Sequence, residues 1–287
     1  MRKIIKRLLP PPITTFIQGV RYRGLKAECR QRWRQPGVRR AYLQANRALA
    51  AEEVQLAPGL RFRIDPGART TFEFFGFGEM DSHEEMESFI RLVRGRKLLW
   101  DIGALHGIFS LVFCRSNGGR ALAAEPSPLA QPILRRNLQL NPELGIQLCP
   151  MALGAEPGRL KFHLTWQYAN FLPSAENPAD RQVHECEVTT LDALLDRGDT
   201  PDTLKIDVEG LEAAVLRGGQ RLLREVRPLL FLEIHTSLLL PQPGALEEVF
   251  GLLTQADYRL NDSTGATVTL ANLQRHPQVV RVVGQPQ

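Results

Sequence analysis

KLLWDIGALHG, residues 97–107, joins an apolar run of strand length to a turn with glycines at 103 and 107. The run reads as a buried strand. Gly103 permits a sharp bend without a Cβ clash, and Gly107 lets a helix begin close to a ligand. That helix reads GIFSLVFCRSNGG and stops at Gly118-Gly119. A second strand, ALAAEP, brings Glu125 to its end, 24 positions beyond Asp101. An acid placed there accepts hydrogen bonds from both hydroxyls of a ribose.

Strand and helix keep alternating downstream. Ser127-Pro128 predicts an N-cap followed by proline at the first helical position, opening a helix to about Leu140. GIQLCPMALG reads as a third strand, and LKFHLTW with HECEVTTL as a hairpin or extra strands around a loop from Gln167 to Val183. Thr190 caps a short helix, LDALLDRG. The strand TLKID, the helix LEAAVLRGGQRLLREV, the strand PLLFLEIH and the helix ALEEVFGLLTQA follow, with YRLND and QVVRVVG as closing strands. Short apolar runs between amphipathic helices mean parallel βαβ units covered on both faces. The expectation is a doubly wound α/β domain over residues 95–287.

Residues 54–94 read differently. Alternation at Leu60–Ile64 and Thr71–Phe75 predicts two short strands joined around Pro66-Gly67, and Met86, Phe89, Ile90 and Val93 predict a helix over 82–94. Residues 1–53 form a basic extension: positions 1–50 hold 13 Lys and Arg against the single acid Glu28, while the whole chain carries +5. Such a head suits anionic lipid, nucleic acid or an acidic partner, or is simply solvated. Ile4, Ile5, Leu8 and Leu9 beside Lys3, Lys6 and Arg7 make one interfacial turn that Pro10 cuts short, a weak membrane anchor.

Hydrophobic content of 43% with 23% charged residues belongs to a globular protein and excludes wholesale disorder. No run of about 18 apolar residues is present to span a membrane, and MRKIIKRLLPPP is too interrupted for a secretion signal. Cys29, Cys114, Cys149 and Cys186 form no CxxC pair. That argues against a zinc knuckle or disulfide framework and suits the cytoplasm, with the basic head touching the inner membrane surface.

The turn itself selects a cofactor. Nicotinamide dinucleotides need a third glycine for their pyrophosphate; here that glycine is missing and Asp101 heads the turn. A carboxylate repels phosphate and attracts ammonium or sulfonium, so the composition favours S-adenosylmethionine. The plainer alternative has Asp101 capping the next helix and Glu125 facing water.

KIDVEG, residues 205–210, ends the fourth strand of the core. If the strand continues, Asp207 and Glu209 share one face. LEIH brings Glu233 and His235 to the same rim. Carboxylates there can accept a proton from a hydroxyl, and an unperturbed histidine pKa of about 6.5 suits the same work. Asp207, Glu233 and His235 are also a ligand set for a divalent metal such as magnesium. Plainer readings make Glu209 the cap of a helix starting at Leu211 and His235 a hydrogen-bonded loop residue. Trp166 and Tyr168 either stack on a sugar face or cover the sheet edge.

The series DIGALHG, AAEPSP, ALG, TLDALL, LKIDVEGLEAAVLRGG and LLFLEIH resembles the FkbM family of S-adenosylmethionine-dependent methyltransferases over about residues 80–240. The resemblance implies a Rossmann-like class I methyltransferase fold, its mostly parallel sheet closed by an antiparallel strand. It implies O-methylation of a sugar, glycan or natural-product hydroxyl. It places Asp101, Gly103, Ala104 and Gly107 at the methionine end of the cofactor, Glu125 with Pro126 at the ribose, and Ala152 by the adenine. Glu84 matches a family acidic position loosely, and Leu105 stands where the family usually has Asn. Rival readings are an RNA or protein methyltransferase guided by the basic arm, or a degenerate member that only binds a partner or membrane. Against nucleobase methylation, no Asn/Asp-Pro-Pro-Tyr/Phe string ends the fourth strand, and Cys149-Pro150 is on the third strand in the wrong order for a Pro-Cys nucleophile.

Overall fold

The computed structural model describes residues 52–57, 59–77, 80–165, 168–170, 183–262, 265–276 and 278–287. Residues 1–51 of the basic arm and Trp166 lie outside these residues, as does the side chain of Tyr168, and Glu53, the last residue expected in the arm, opens the first strand.

A hairpin of β1 (Glu53–Ala57) and β2 (Leu60–Arg63) turns at Gly59, not at Pro66-Gly67. Asp65 then caps a 3-10 turn, Pro66–Ala68, by accepting the Gly67 N–H. The turn runs into α1 (Arg69–Phe77) and α2 (Met80–Leu92). Thr71–Phe75 is therefore helical, against the strand expected there. Phe72 and Phe75, one helical turn apart, meet Phe62 and Phe109 at centroid distances of 6.3 and 5.1 Å, while Phe74 is exposed. Over five residues the two periodicities overlap, and the Asp65 cap selects the helix.

The remaining elements are β3 (Leu98–Ile102), α3 (Ile108–Asn117), β4 (Arg120–Ala124), α4 (Ala130–Leu140), β5 (Gly145–Cys149), β6 (Ala152–Leu153), β7 (Gly158–Thr165), β8 (Tyr168–Asn170), β9 (Val183–Thr189), α5 (Leu191–Leu195), β10 (Thr203–Ile206), α6 (Glu212–Arg217), β11 (Leu229–Ile234), α7 (Thr236–Leu239), α8 (Ala245–Gln255), β12 (Tyr258–Asn261), α9 (Leu270–Arg275) and β13 (Val280–Pro286). Seven strands form one sheet in the order β12-β13-β11-β10-β3-β4-β5. Only β13 runs against its neighbours. This is the Rossmann-like, doubly wound sheet with a closing antiparallel strand. β3, β10 and β11 are buried along their whole lengths, as strands covered on both faces must be. Phe89, Phe109 and Phe113 of α2 and α3 pack one face; Leu191, Val215, Leu216, Val249 and Leu253 of α5, α6 and α8 pack the other.

Three local departures have simple causes. GIQLCPMALG splits at Pro150: β5 stays in the large sheet, while β6 joins a second sheet in the order β6-β9-β7-β8. The expected long helix after KIDVEG is interrupted at Gly218-Gly219, which part α6 from a further helical segment, Leu222–Val226; both glycines sit against other backbone and side chains. A Cβ on Gly218 would lie 2.1 Å from the Gly154 carbonyl oxygen, and one on Gly219 2.6 Å from Leu191 Cδ1. Ser127 caps as expected but from farther out, its hydroxyl accepting the N–H groups of Leu129 and Ala130, so the helix begins two residues later. Thr190 caps α5 directly through the Ala193 N–H.

Strand order reverses between β3 and β10, since β4 and β5 lie to one side and β11 to the other. A crevice beyond the carboxyl ends of those two strands is where such sheets bind ligands.

Candidate functional site

At the switch point the Asp207 N–H donates to the Ile102 carbonyl at 2.9 Å, extending the β3–β10 pairing by one bond. The backbones are so close that a Cβ on Gly103, at φ +80°, would fall 1.8 Å from the Asp207 carbonyl oxygen. Only glycine meets both demands. The turn continues through two further left-handed residues, Leu105 at φ 48° and Gly107 at φ 80°. Leu105 presents its N–H to Glu125 Oε2 at 2.7 Å, and Ser127 donates to Oε1 at the same distance. Burial pushes the Glu125 carboxyl up to about 7, outweighing those two hydrogen bonds. Each of its oxygens still has a lone pair to offer.

Glu125, Asp207 and Glu209 line a cavity of about 610 Å³, counting space open to solvent. Met151, Ala152, Leu153 and Val208 supply apolar wall, and among the described residues no Lys or Arg lines it. The cleft is mostly apolar with an acidic edge. A phosphate is repelled there, while a sulfonium or ammonium beside a flat aromatic base is welcome.

Of the seven positions expected at the cofactor, Gly103, Glu125, Pro126 and Ala152 line this cavity. Asp101, Ala104 and Gly107 stand behind it. Asp101 Oδ2 accepts from the Ser110 N–H at 3.1 Å and from its hydroxyl at 2.7 Å, so its carboxylate is engaged at the start of α3. Burial raises its pKa. Ala104 packs with Ala123 and Leu134, and Gly107 keeps clear of Leu134, whose Cδ1 would lie 2.6 Å from an added Cβ. His106 is fully buried, its Nδ1 3.0 Å from Thr71 Oγ1, and burial pushes its pKa down to about 4. The neutral ring ties α1 to the turn.

Asp207, Glu209, Glu233 and His235 do converge on one rim. His235 Nε2 lies 3.4 Å from Glu209 Oε2 and 3.8 Å from Asp207 Oδ1. Its Nδ1 lies 2.6 Å from Oε1 of Glu212, which is wholly buried. Burial disfavours the charged ring, but the Glu212 hydrogen bond and the Asp207 and Glu209 charges prevail and raise its pKa to about 9. Glu209 reaches the rim through a left-handed backbone at φ 49° rather than along a continuing strand. Nor does it cap α6, where Glu212 Oε1 takes the Gly210 N–H. Burial raises the Glu209 pKa. Asp207, by contrast, is held below the ordinary carboxylate range: its desolvation is overcome by Lys205 and His235.

Lys205, Glu212 and Arg281 were not singled out from the sequence. Lys205 has one legible signal, a lysine inside the apolar strand TLKI whose four residues are all buried. Its Nζ lies 3.3 Å from Asp207 Oδ2, 3.5 Å from Glu233 Oε1 and 4.4 Å from the Phe109 ring centroid. Arg281, opposite Glu233 on β13, pairs with Glu233 at 3.2 Å and with Glu85 of α2 at 2.7 Å. Burial, Asp207 and Glu85 together push Glu233 up to about 8. Glu84, next to Glu85, is buried in α2. Among the described residues, no helix is long and apolar enough to cross a membrane.

The sequence profile of the methyltransferase FkbM domain matches residues 101–260. Among solved structures, the chain is similar to methyltransferase FkbM from Methylobacillus flagellatus KT, with 20% identity, TM-score 0.44, and coverage of 67% of this chain but 44% of that one. The chain thus spans less than half the length of that structure. It is also similar to precorrin-6y C5,15-methyltransferase from Geobacter metallireducens GS-15 (16% identity, TM-score 0.43, 73% of this chain and 89% of that one). A third likeness is to the N-terminal domain of EvdMO1, solved in the presence of SAH and D-fucose (14% identity, TM-score 0.42, 74% of this chain and 85% of that one). No curated protein matches the sequence.

Proposed function

Since the chain belongs to the FkbM methyltransferase family, we propose that it transfers a methyl group from S-adenosylmethionine to a hydroxyl of a sugar, glycan or natural product. The observation that carries this reading is the cavity at the switch point, walled by Glu125, Asp207 and Glu209 with no cationic side chain among its described lining residues. The donor supplies an electrophilic methyl on a sulfonium and leaves as a neutral thioether.

The residues divide the work as follows. Glu125, held by Leu105 and Ser127, accepts the ribose hydroxyls. Gly103 lets the donor approach the β3 backbone, and Met151, Leu153 and Val208 enclose the base. Asp207 and Glu209 face the sulfonium from the opposite strand and lower the energy of bringing it out of water. As the new O–C bond forms and the S–C bond breaks, the acceptor hydroxyl must lose its proton. Glu209, whose pKa burial raises, is the better acceptor; Asp207, kept ionised by Lys205 and His235, orients the hydroxyl. His235 is already protonated at neutral pH, so its part is to hold the two carboxylates by its charge rather than to take the proton.

Calorimetry with S-adenosylmethionine and with NAD tests the cofactor, and mass spectrometry of sugar and glycan acceptors incubated with the donor tests the reaction. Binding of S-adenosylmethionine alone, with the mass gain of one methyl replacing a hydrogen on a hydroxyl, is expected. Preference for NAD, or methyl found only on RNA or protein, overturns the reading.

A further inference from the structure

We propose that Lys205 is the resident cation of the catalytic rim: its buried ammonium fills the place between Asp207 and Glu233 that a divalent ion would need, so that Lys205 positions Asp207 and methyl transfer runs without a bound metal. The part about methyl transfer rests on the function proposed above; the part about the cation does not.

Asp207, Glu233 and His235 offer ligand atoms within 4.8 Å of one another, a spacing that suits a metal ion. The charges around them do not. Asp207, just past the end of β10, continues its pairing with β3 and so shares a face with Lys205, and Lys205 pairs in register with Phe231, two residues before Glu233. The sheet therefore aims the lysine at both carboxylates. Its Nζ lies 3.3 Å from Asp207 Oδ2 and 3.5 Å from Glu233 Oε1. The other Glu233 oxygen faces Arg281 at 3.2 Å. Both oxygens of the second would-be ligand thus already face a cation.

A divalent ion requires oxygens at about 2.0–2.6 Å, which would set two positive charges against a buried ammonium and a guanidinium. Lys205 has no room to withdraw. Its side chain is 2% exposed, and its ammonium sits over the Phe109 ring beneath α3. An ion pair of this kind is costly to bury and more costly to break, because each partner would be left uncompensated. Lys205 touches neither donor nor acceptor in this arrangement; it acts through Asp207, as a positioning residue.

The test is a Mn²⁺ titration of the full chain, read by electron paramagnetic resonance, beside turnover with and without EDTA. The wild type is expected to take up no stoichiometric Mn²⁺ and to be indifferent to EDTA. Lys205→Met, which keeps length but drops the charge, should bind Mn²⁺ about tenfold or more tightly and lose about a hundredfold in kcat with the donor KM unchanged. Lys205→Arg should still exclude Mn²⁺ and keep more turnover than the methionine variant. One Mn²⁺ per wild-type chain, with turnover lost in EDTA, overturns the proposal, as does a folded Lys205→Met variant of wild-type turnover. Should that variant fail to fold, the wild-type titration and Lys205→Arg decide by themselves. Failure of the wild type to bind S-adenosylmethionine would sink the proposed function, yet leave the Mn²⁺ titration able to decide the identity of the cation.

Discussion

The Leu105 N–H meets the Glu125 carboxylate at 2.7 Å, joining the turn after β3 to the end of β4 across 20 residues of chain. One residue contributes a strained backbone and the other a buried charge. Neither arrangement serves the stability of an empty protein well, and both face the same cavity.

Glu125 gives opposite pH signatures for folding and for ligand. Burial raises its pKa from the ordinary glutamate range to about 7, so the folded chain holds that proton more tightly than the unfolded one. Its contribution to stability is complete at low pH and disappears as pH climbs through about 7. Donor affinity should move the other way, since the ionised form accepts the ribose hydroxyls: about tenfold stronger at pH 8 than at pH 6. Calorimetry across that range checks this. Glu125→Ala should flatten the profile and weaken binding by about 1–3 kcal/mol.

Leu105→Asn should stabilise the chain. Leucine at φ 48° meets its own Cβ clash, whereas asparagine tolerates the left-handed region. A gain of about 0.5–1 kcal/mol is expected in denaturant melts. A loss would mean that the half-buried Leu105 side chain contributes more to the cavity wall than its backbone costs.

Gly103→Ala should be severe, since the new methyl would lie 1.8 Å from the Asp207 carbonyl oxygen at a backbone angle alanine resists. Thermal melts should show a loss of about 3 kcal/mol or more. Any folded fraction should have lost donor binding, because β3 and β10 must part at the cleft.

Asp207→Asn and Glu212→Gln should separate chemistry from binding. The first should abolish turnover, while donor affinity, still supported by Glu125 and Glu209 in the same cavity, falls far less. The second leaves the Glu212 shape but weakens its 2.6 Å contact with His235 Nδ1; about 1.5–3 kcal/mol of stability should go, with kcat falling and the donor Kd unchanged. Parallel calorimetry and initial rates distinguish the two effects.

Much of the frame is legible in the chain because its signals are local. Apolar runs ending in DIG, AEP, KID and EIH foretell four neighbouring parallel strands and place Glu125, Asp207, Glu233 and His235 at one rim. What escapes is whatever depends on distant partners. Nothing near Asp101 in the chain foretells that Ser110, at the start of α3, bonds its Oδ2 through both N–H and hydroxyl. Glu212 reads as an ordinary helix residue until β11 brings His235 against it. Thr71–Phe75 misleads for the opposite reason: five residues are too few to tell a period of 2 from one of 3.6, and the cap that decides lies outside the window.

The glycines of the LRGG string, the most recognisable phrase of the downstream half, do not line the cavity. Gly218 presses on the Gly154 carbonyl just after β6, and Gly219 on Leu191 at the head of α5. These contacts form the seam where the appended four-stranded sheet is sewn to the seven-stranded one. A side chain at either position would prise that seam open, so the demand for two bare backbones comes from the joint and not from the crevice.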